Sequence, residues 1–130
     1  MSTSVRFAFP SDDLRAIWPA QGALKLNREQ VLVAVDEAGE LQGGALLFDA
    51  GHEVIWVAEV TPIVEDGRRW IYKALVESLI AWSRERGARA LLFLAPEPSY
   101  QAQALRCGAT FVANSTVMAM QLGGGGSDGA

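Results

Sequence analysis

The sequence predicts an α/β domain with a mixed, mostly antiparallel central sheet and helices on both faces. Three observations predict this class. Short β-rich segments follow one another across tight turns before residue 61, as in an antiparallel meander. Apolar residues then recur at helical spacing up to residue 82. An almost wholly apolar run at 90–95 follows, which is typical of a strand buried on both faces.

The composition fits a compact domain and argues against several functions. The chain has 130 residues, 50% of them hydrophobic, and a net charge of −4, whereas nucleic-acid-binding domains are usually basic. No window is apolar enough for a membrane span, and the N-terminal residues lack a signal-peptide core. We therefore expect a cytoplasmic protein with one domain over residues 1–122 and a flexible glycine-rich tail over residues 123–130.

The first thirty residues predict one strand and two short helices. Val5 to Phe9 forms the strand, and Pro10 ends it. Ser11 is a suitable N-cap for a short helix. Ala23 to Leu26 is a candidate second helix. The first of these helices presents one apolar face, formed by Leu14, Ile17 and Trp18.

Three strands of the meander follow, at Gln30–Val35, Leu41–Phe48 and Glu53–Val60. The Gly43-Gly44 pair predicts a bulge or a close approach of another backbone or side chain. Strict alternation in the third strand divides its residues between two faces. One face carries Val54, Trp56, Ala58 and Val60, and the other carries Ile55, Val57 and Glu59.

The second half of the chain predicts a long helix, a central strand, a short helix and two final strands. Gly87 is a suitable stop for the long helix. Its buried face is predicted to contain Ile71, Ala74, Leu75, Ser78, Leu79 and Trp82, with Glu77, Arg84 and Glu85 exposed. The later elements are predicted at Ala90–Ala95, Ser99–Leu105, Thr110–Ala113 and Thr116–Leu122.

This order of elements resembles the GNAT acetyltransferase fold over nearly the whole chain up to Leu122. Four segments carry the resemblance, namely Val5-Arg-Phe-Ala, Val35-Asp-Glu-Ala-Gly-Glu-Leu-Gln-Gly-Gly, Val60-Thr-Pro and Leu105-Arg-Cys-Gly-Ala. The resemblance implies acetyl-CoA in a cleft where the fourth and fifth strands splay apart. It also implies cofactor contacts from Val60, Ile63, Val64, Gly67, Arg68 and Arg69.

The cofactor loop departs from the pattern of that family. Of the glycines that let a backbone approach phosphate, Gly67 alone remains. Trp70 and Tyr72 stand where the later glycines are expected, and their rings are predicted to cover the helix amides or fill the cleft. Glu65 and Asp66 would repel a pyrophosphate. We therefore expect weak or absent acetyl-CoA binding.

The catalytic residues remain unknown at this stage. Many family members have a tyrosine acid where this chain has Ala104, and Tyr100 lies one helical turn earlier. Glu59 is either a general base or a carboxylate at the sheet rim. His52 is expected to be solvated and Cys107 to be inert.

Two binding candidates near the long helix also have alternative interpretations. Arg68 and Arg69 either bind phosphate or form weak surface pairs with neighbouring acids. Trp70 is either a ligand platform or a ring packed against the sheet, and packing is the commoner case. No Cys/His cluster has metal-ligand spacing.

Two functions therefore remain open, and fold alone does not choose between them. The missing glycines and tyrosine favour a non-catalytic protein that binds a protein partner or assembly. The resemblance is greatest to small GNAT-like proteins of tailed bacteriophages, which suggests a virion-associated role. The alternative is a CoA-dependent N-acetyltransferase acting on an amine of a small molecule or a protein.

Overall fold

A computed structural model describes residues 3–19, 27–49, 53–64, 66–94, 98–111 and 117–122. They form one sheet of seven strands, two α-helices and two short 3-10 helices. The strands are β1 (Ser4–Phe7), β2 (Val31–Val35), β3 (Leu41–Asp49), β4 (Val54–Pro62), β5 (Ala90–Leu94), β6 (Thr110–Phe111) and β7 (Val117–Gln121). The helices are α1 (Arg68–Glu85) and α2 (Pro98–Arg106), with 3-10 turns at Leu14–Ala16 and Arg28–Gln30.

The spatial order of the strands is β1-β2-β3-β4-β5-β7-β6. Every pair is antiparallel except β4 and β5, which run parallel because α1 connects them across the sheet. β5 lies between β4 and β7, which confirms the central strand predicted from its apolar run. The predicted mixed, mostly antiparallel sheet is also confirmed.

Both α-helices pack on one face of the sheet. Leu75 and Leu79 of α1 are fully buried there, whereas Trp82 is half-buried against the same cluster. Ala104 of α2 belongs to this cluster too. The predicted exposure of the charged side of α1 is confirmed, and Gly87 ends the helix with a φ of 80°. The predicted burial of Ile71 is also confirmed, whereas the helical spacing did not single out three further buried residues of α1, namely Tyr72, Val76 and Ser83.

The opposite face of the sheet is covered by the N-terminal segment. Leu14, Ile17 and Trp18 pack there against a cluster of residues from β2 and β3, as their spacing predicts. The 3-10 turn that carries them is capped by Asp13, not by Ser11, because the Asp13 carboxylate accepts a hydrogen bond from the amide of Arg15. The predicted helix at residues 23–26, the tail at residues 123–130 and the ends of several loops lie outside the described residues.

A β-bulge in β4 corrects the predicted division of its faces. Leu46 pairs with Glu59 and Leu47 pairs with Val57, so Ala58 is an extra residue in β4. Val60 therefore packs with Ile55 and Val57 on the α1 side, not with Trp56. Glu59 pairs across from Leu46, which belongs to the cluster on the opposite face. The prediction that Glu59 shares a face with Ile55 and Val57 is wrong.

The Gly43-Gly44 pair marks a close approach on both faces of β3. A Cβ on Gly43 would lie 2.8 Å from the carbonyl oxygen of Thr61. A Cβ on Gly44 would lie 2.9 Å from the Cδ1 of Ile17 and 3.0 Å from the Cη2 of Trp18. These contacts explain why the sequence has two glycines in the middle of a strand.

The described part of the chain contains no helix with the length and apolar character of a transmembrane segment. Its buried side chains instead form two clusters, one on each face of the sheet. The larger cluster lies beneath α1 and α2, and the smaller lies beneath the N-terminal segment. Both meet at β4, the strand that carries the bulge.

Candidate functional site

The central feature of the candidate site is a gap between β4 and β5. The ladder between these strands covers Val54 to Val57 of β4 and stops directly before the bulge. β4 nevertheless continues to Pro62, paired on its other side with β3. The segment Ala58–Pro62 thus has no β5 partner in the described structure, whereas β5 pairs with β7 along its whole length on its other edge. We refer to this place as the β4–β5 gap.

The N-terminus of α1 lies a few residues beyond the end of β4. Gly67 is its N-cap, with a left-handed backbone (φ 78°, ψ 19°) that favours glycine. It makes no side-chain capping hydrogen bond, and the first turn of α1 contains no acid. A helix of 18 residues leaves its first amides without intrahelical acceptors, and its dipole favours an anion at this end. Arg68 and Arg69 are exposed beside these amides.

The two large residues of the cofactor loop occupy different environments. Trp70 is 56% exposed, so the expectation that it packs against the sheet is wrong. Tyr72 is 4% exposed and belongs to the core cluster beneath α1. Its ring lies on the inner side of the helix because Tyr72 shares a face with Val76 and Leu79, four and seven positions later, which are also buried. Tyr72 is thus part of the core, and Trp70 is an exposed ring in the first turn of the helix.

A groove of about 460 Å³ runs between α1 and the end of α2. We call it the α1–α2 groove. Three basic residues, Arg69, Lys73 and Arg106, line it, and Glu77 is the one acidic residue among its lining residues. The remaining walls are Tyr72, Val76, Ile80 and Cys107. Its size lies in the range of small-ligand sites, and the surplus of positive charge suits an anionic ligand.

The Tyr72 phenol and the Cys107 thiol, which also line this groove, are neutral at ordinary pH. Burial raises the pKa of the Tyr72 phenol well above its usual range, and the nearby Cys107 adds to the effect. Burial also raises the pKa of the Cys107 thiol, as does Glu77, while Lys73 and Arg106 act in the opposite direction. A neutral thiol is a poor nucleophile. The expectation that Cys107 is inert therefore agrees with its environment.

A chain of hydrogen bonds lies beside the gap, on the face of the sheet opposite α1. The indole Nε1–H of Trp18 donates to the Thr61 hydroxyl at 3.1 Å. That hydroxyl donates to Oε2 of Glu59 at 3.2 Å. Trp18 is buried, whereas Thr61 and Glu59 are half-buried at the end of β4. The bulge is what turns Glu59 to this face.

The structure brings some of the sequence-predicted residues together and separates others. Val60, Ile63 and Val64 run along the gap towards the helix N-terminus that bears the two arginines. Ala104, at the expected position of a tyrosine acid, is buried in the core. Glu65, His52 and the side chain of Tyr100 lie outside the described residues. Asp66 is exposed next to the N-cap.

Four residues of this region were not predicted as site residues from the sequence, namely Trp18, Thr61, Lys73 and Arg106. Lys73 could have been found, because it lies four residues after Arg69 and shares its side of the helix. Trp18 and Thr61 are 43 residues apart, and no local pattern predicts their hydrogen bond. Across the described residues, no group of three His, Cys, Asp or Glu side chains has the arrangement of a metal site.

Comparison with solved structures identifies the fold. The chain is similar to a GCN5-related N-acetyltransferase from Kribbella flavida, with a TM-score of 0.68, 19% identity and coverage of 92% of this chain and 97% of that one. It is also similar to a GNAT-family acetyltransferase from Staphylococcus aureus Mu50, with a TM-score of 0.73, 12% identity and coverage of 93% and 99%. A third similar structure is yncA from Salmonella typhimurium with its cofactor acetyl-CoA, with a TM-score of 0.69, 16% identity and coverage of 94% and 95%.

Sequence comparisons add nothing to this result. No protein-family model matches the chain, and no curated protein shows significant similarity to it. At identities below 20%, the three structural similarities show the fold alone. The chain therefore has the GNAT fold, as predicted, and its function must be argued from the site.

Proposed function

We propose that this protein is an acetyl-CoA-dependent N-acetyltransferase. The observation that carries the proposal is the β4–β5 gap, which ends at an uncapped helix N-terminus. Three adjoining regions suit an elongated ligand that has an amide-containing arm and phosphate groups. The gap offers unpaired backbone to the arm, and the helix N-terminus and the basic α1–α2 groove offer positive charge to the phosphates. Glu59 lies at the same gap on the opposite face of the sheet.

The residues present fit acetyl-CoA. The backbone of Val60, Ile63 and Val64 would hold the pantetheine arm, because Val60 lies in the part of β4 without a β5 partner and the other two residues directly follow that strand. Gly67 and the amides beside Arg68 and Arg69 would hold the pyrophosphate. The basic side chains of the α1–α2 groove would meet the remaining phosphate. Tyr72 packs in the core beneath α1 and Trp70 is exposed, which counts against the expectation that their rings block acetyl-CoA binding.

Glu59 is the proposed general base. When bound, acetyl-CoA would supply an activated acetyl group for transfer to an amine. An amine attacks only when it has a free lone pair, so an acceptor that arrives as an ammonium ion must first give up a proton. The Glu59 carboxylate is the group at the gap that would accept this proton. The acceptor would approach from the face that carries Glu59, opposite α1 and α2.

Calorimetric titration of the unmodified protein with acetyl-CoA tests the binding half of the proposal. We expect a micromolar dissociation constant. Replacing Arg68 and Arg69 together with alanine should weaken binding by about tenfold or more, allowing for solvent screening of exposed charges. Arg84→Ala is the matched control, because Arg84 is an exposed arginine near the far end of the same helix. Absence of binding heat at millimolar acetyl-CoA would overturn the proposal.

Turnover assays with a panel of amines test the catalytic half. Release of free CoA should depend on the added amine. Glu59→Gln should lower kcat by about a hundredfold or more, with the acetyl-CoA dissociation constant unchanged. Glu85→Gln, at an exposed carboxylate in the last turn of α1, should leave kcat unchanged. Equal turnover in Glu59→Gln and the unmodified protein would contradict the role of Glu59.

A second candidate is a non-catalytic protein that binds a protein partner on the same fold. Exposed Trp70 favours it, since tryptophan and arginine dominate binding hot spots and two exposed arginines precede this ring. The resemblance to small phage proteins would make this role virion-associated. Lack of acetyl-CoA binding, together with self-association in ultracentrifugation that Trp70→Ala abolishes, would support it. For both candidates the proposed location is the cytoplasm, or a virion if a phage encodes the chain.

A further inference from the structure

The geometry points to Thr61 and Trp18 as positioning residues that hold Glu59 in one orientation for its work as a base. This inference rests on the proposed function, since it concerns the same carboxylate. It goes beyond that function because it assigns roles to a buried tryptophan from the N-terminal segment and a threonine at the end of β4. Neither residue would itself touch the reacting atoms.

The direction of the two hydrogen bonds is fixed by chemistry. An indole N–H can only donate, so the Thr61 oxygen must accept from Trp18. A hydroxyl has one hydrogen, and with its oxygen already accepting, that hydrogen is available for the Glu59 carboxylate. An ionised carboxylate can only accept. The two hydrogen bonds therefore run in one direction, from the Trp18 donor through Thr61 to the acceptor Oε2 of Glu59.

Gly44 provides the room for this arrangement. It pairs directly with Thr61 across the two strands. The ring of Trp18 occupies the space that a side chain on residue 44 would need, since a Cβ on Gly44 would lie 3.0 Å from Cη2 of Trp18. A tryptophan that is 5% exposed and packed among Leu14, Ile17 and the β2 strand is a fixed point of attachment. The glycine thus lets a core residue reach the end of β4.

As a consequence, the Glu59 side chain has fewer orientations available than a glutamate without this hydrogen bond would have. A glutamate has several rotatable bonds, and holding it in one rotamer costs conformational entropy. The hydrogen bond from Thr61 engages Oε2 and leaves Oε1 as the oxygen that no described residue donates to. Oε1 is then the atom that would receive the proton of the acceptor. Such orientation determines how often a base is within reach of its proton.

Paired variants of Thr61 test the inference in the full-length protein. Thr61→Val keeps the shape of the side chain and removes the hydroxyl. We expect its kcat to fall by about tenfold, with the KM for acetyl-CoA and the urea unfolding midpoint little changed. Thr61→Ser retains a hydroxyl and should restore most of the lost kcat. Trp18→Phe removes the indole N–H and should lower kcat less than Thr61→Val does.

A measurement independent of turnover follows the hydrogen bonds themselves. The Nε1–H resonance of Trp18 in ¹H–¹⁵N spectra should move in Thr61→Val and in Glu59→Gln, because both changes alter the chain that starts at this proton. Glu77→Gln, at an exposed carboxylate on α1, should leave the resonance in place. This signal reports the arrangement whether or not an acceptor amine has been found.

The outcomes separate this inference from the proposed function. No amine-dependent turnover by the unmodified protein would overturn both. If the unmodified protein shows amine-dependent turnover and Thr61→Val has the same kcat, the positioning role is overturned and the proposed function stays intact. A loss of kcat that Thr61→Ser fails to restore would also overturn it, because the effect would then come from the changed shape. Reduced kcat, rescue by serine and a shifted Trp18 resonance would together support it.

Discussion

Gly43→Ala tests how closely β3 and β4 approach beside the β4–β5 gap. A Cβ on Gly43 would lie 2.8 Å from the carbonyl oxygen of Thr61, 3.0 Å from the Cα of Pro62 and 2.9 Å from Cγ2 of Ile71. Two of these three atoms belong to the backbone of β4, which cannot rotate away as a side chain can. The methyl group can enter only if β4 moves away from β3 and the Ile71 side chain at the start of α1 also shifts.

The expected loss of stability follows from two opposing effects. Forcing an extra carbon into a well-packed site costs about 1–3 kcal/mol, and backbone contacts place Gly43 near the upper end. Alanine restricts the unfolded chain more than glycine does, which returns about 0.4–1 kcal/mol. Gly43 is not among the positive-φ glycines of the described chain, so the backbone conformation adds no strain. The net expected loss is about 2 kcal/mol.

Urea unfolding followed by tryptophan fluorescence measures this loss. With an m-value of about 1–3 kcal/mol per molar, the midpoint should fall by about 1 M while the slope stays constant. Gly44→Ala is the informative comparison. Its two shortest Cβ contacts would be with side-chain ends, of Ile17 and Trp18, and its backbone contact with the Leu32 oxygen is longer, at 3.2 Å, so it should cost less stability and disturb the Trp18 resonance more. A midpoint for Gly43→Ala within about 0.2 M of the unmodified protein would refute the packing argument.

Three further predictions concern stability. Leu79→Ala should lower the free energy of unfolding by about 2–5 kcal/mol in denaturant titration, because Leu79 is fully buried; a loss under about 1 kcal/mol would contradict its place in the core. Ser83→Ala should raise it by about 1 kcal/mol, since the buried Ser83 hydroxyl has no partner among the described residues, and a loss would show that it has one. The Arg6 guanidinium holds the pKa of Asp12 below its ordinary value of 3.8. A lowered carboxyl pKa stabilises the fold at higher pH, and this contribution is lost as the pH falls through the folded-state value. Stability should therefore fall more steeply below about pH 4 in the unmodified protein than in Asp12→Asn, and parallel pH profiles would contradict this.

The sequence predicted the structure correctly in segments where the local apolar pattern decides the fold without help from distant contacts. The apolar run at Ala90–Leu94 predicted a central strand, and its neighbours in the sheet are those expected. The spacing in α1 predicted Leu75 and Leu79 as buried residues. In these segments local preference and burial point to the same structure, so no distant contact was needed to decide between alternatives.

The prediction failed where a distant contact overrides the local pattern. The bulge at Ala58 has no local mark such as a glycine, and the residues around it, Val57, Glu59 and Val60, do not reveal where the extra residue lies. This extra residue places Glu59 on the face of the sheet opposite α1, next to Thr61 and Trp18. The candidate base is therefore on the other side of the sheet from the one predicted. Likewise, Trp70 was expected to pack because tryptophans usually do, but it lies on the exposed side of the first turn of α1.

The short β4–β5 ladder has a consequence for how the molecule opens. Strands β1 to β4 pair in sequence order, and β5, β7 and β6 form a second block. In the described sheet these blocks share one seam of four residue pairs, from Val54–Ala90 to Val57–Phe93. Amide protons of the second block should therefore exchange with solvent through separation at this seam, at a lower free energy than global unfolding. A ligand lying along the gap would bridge the seam, so its binding should slow exchange in both blocks together.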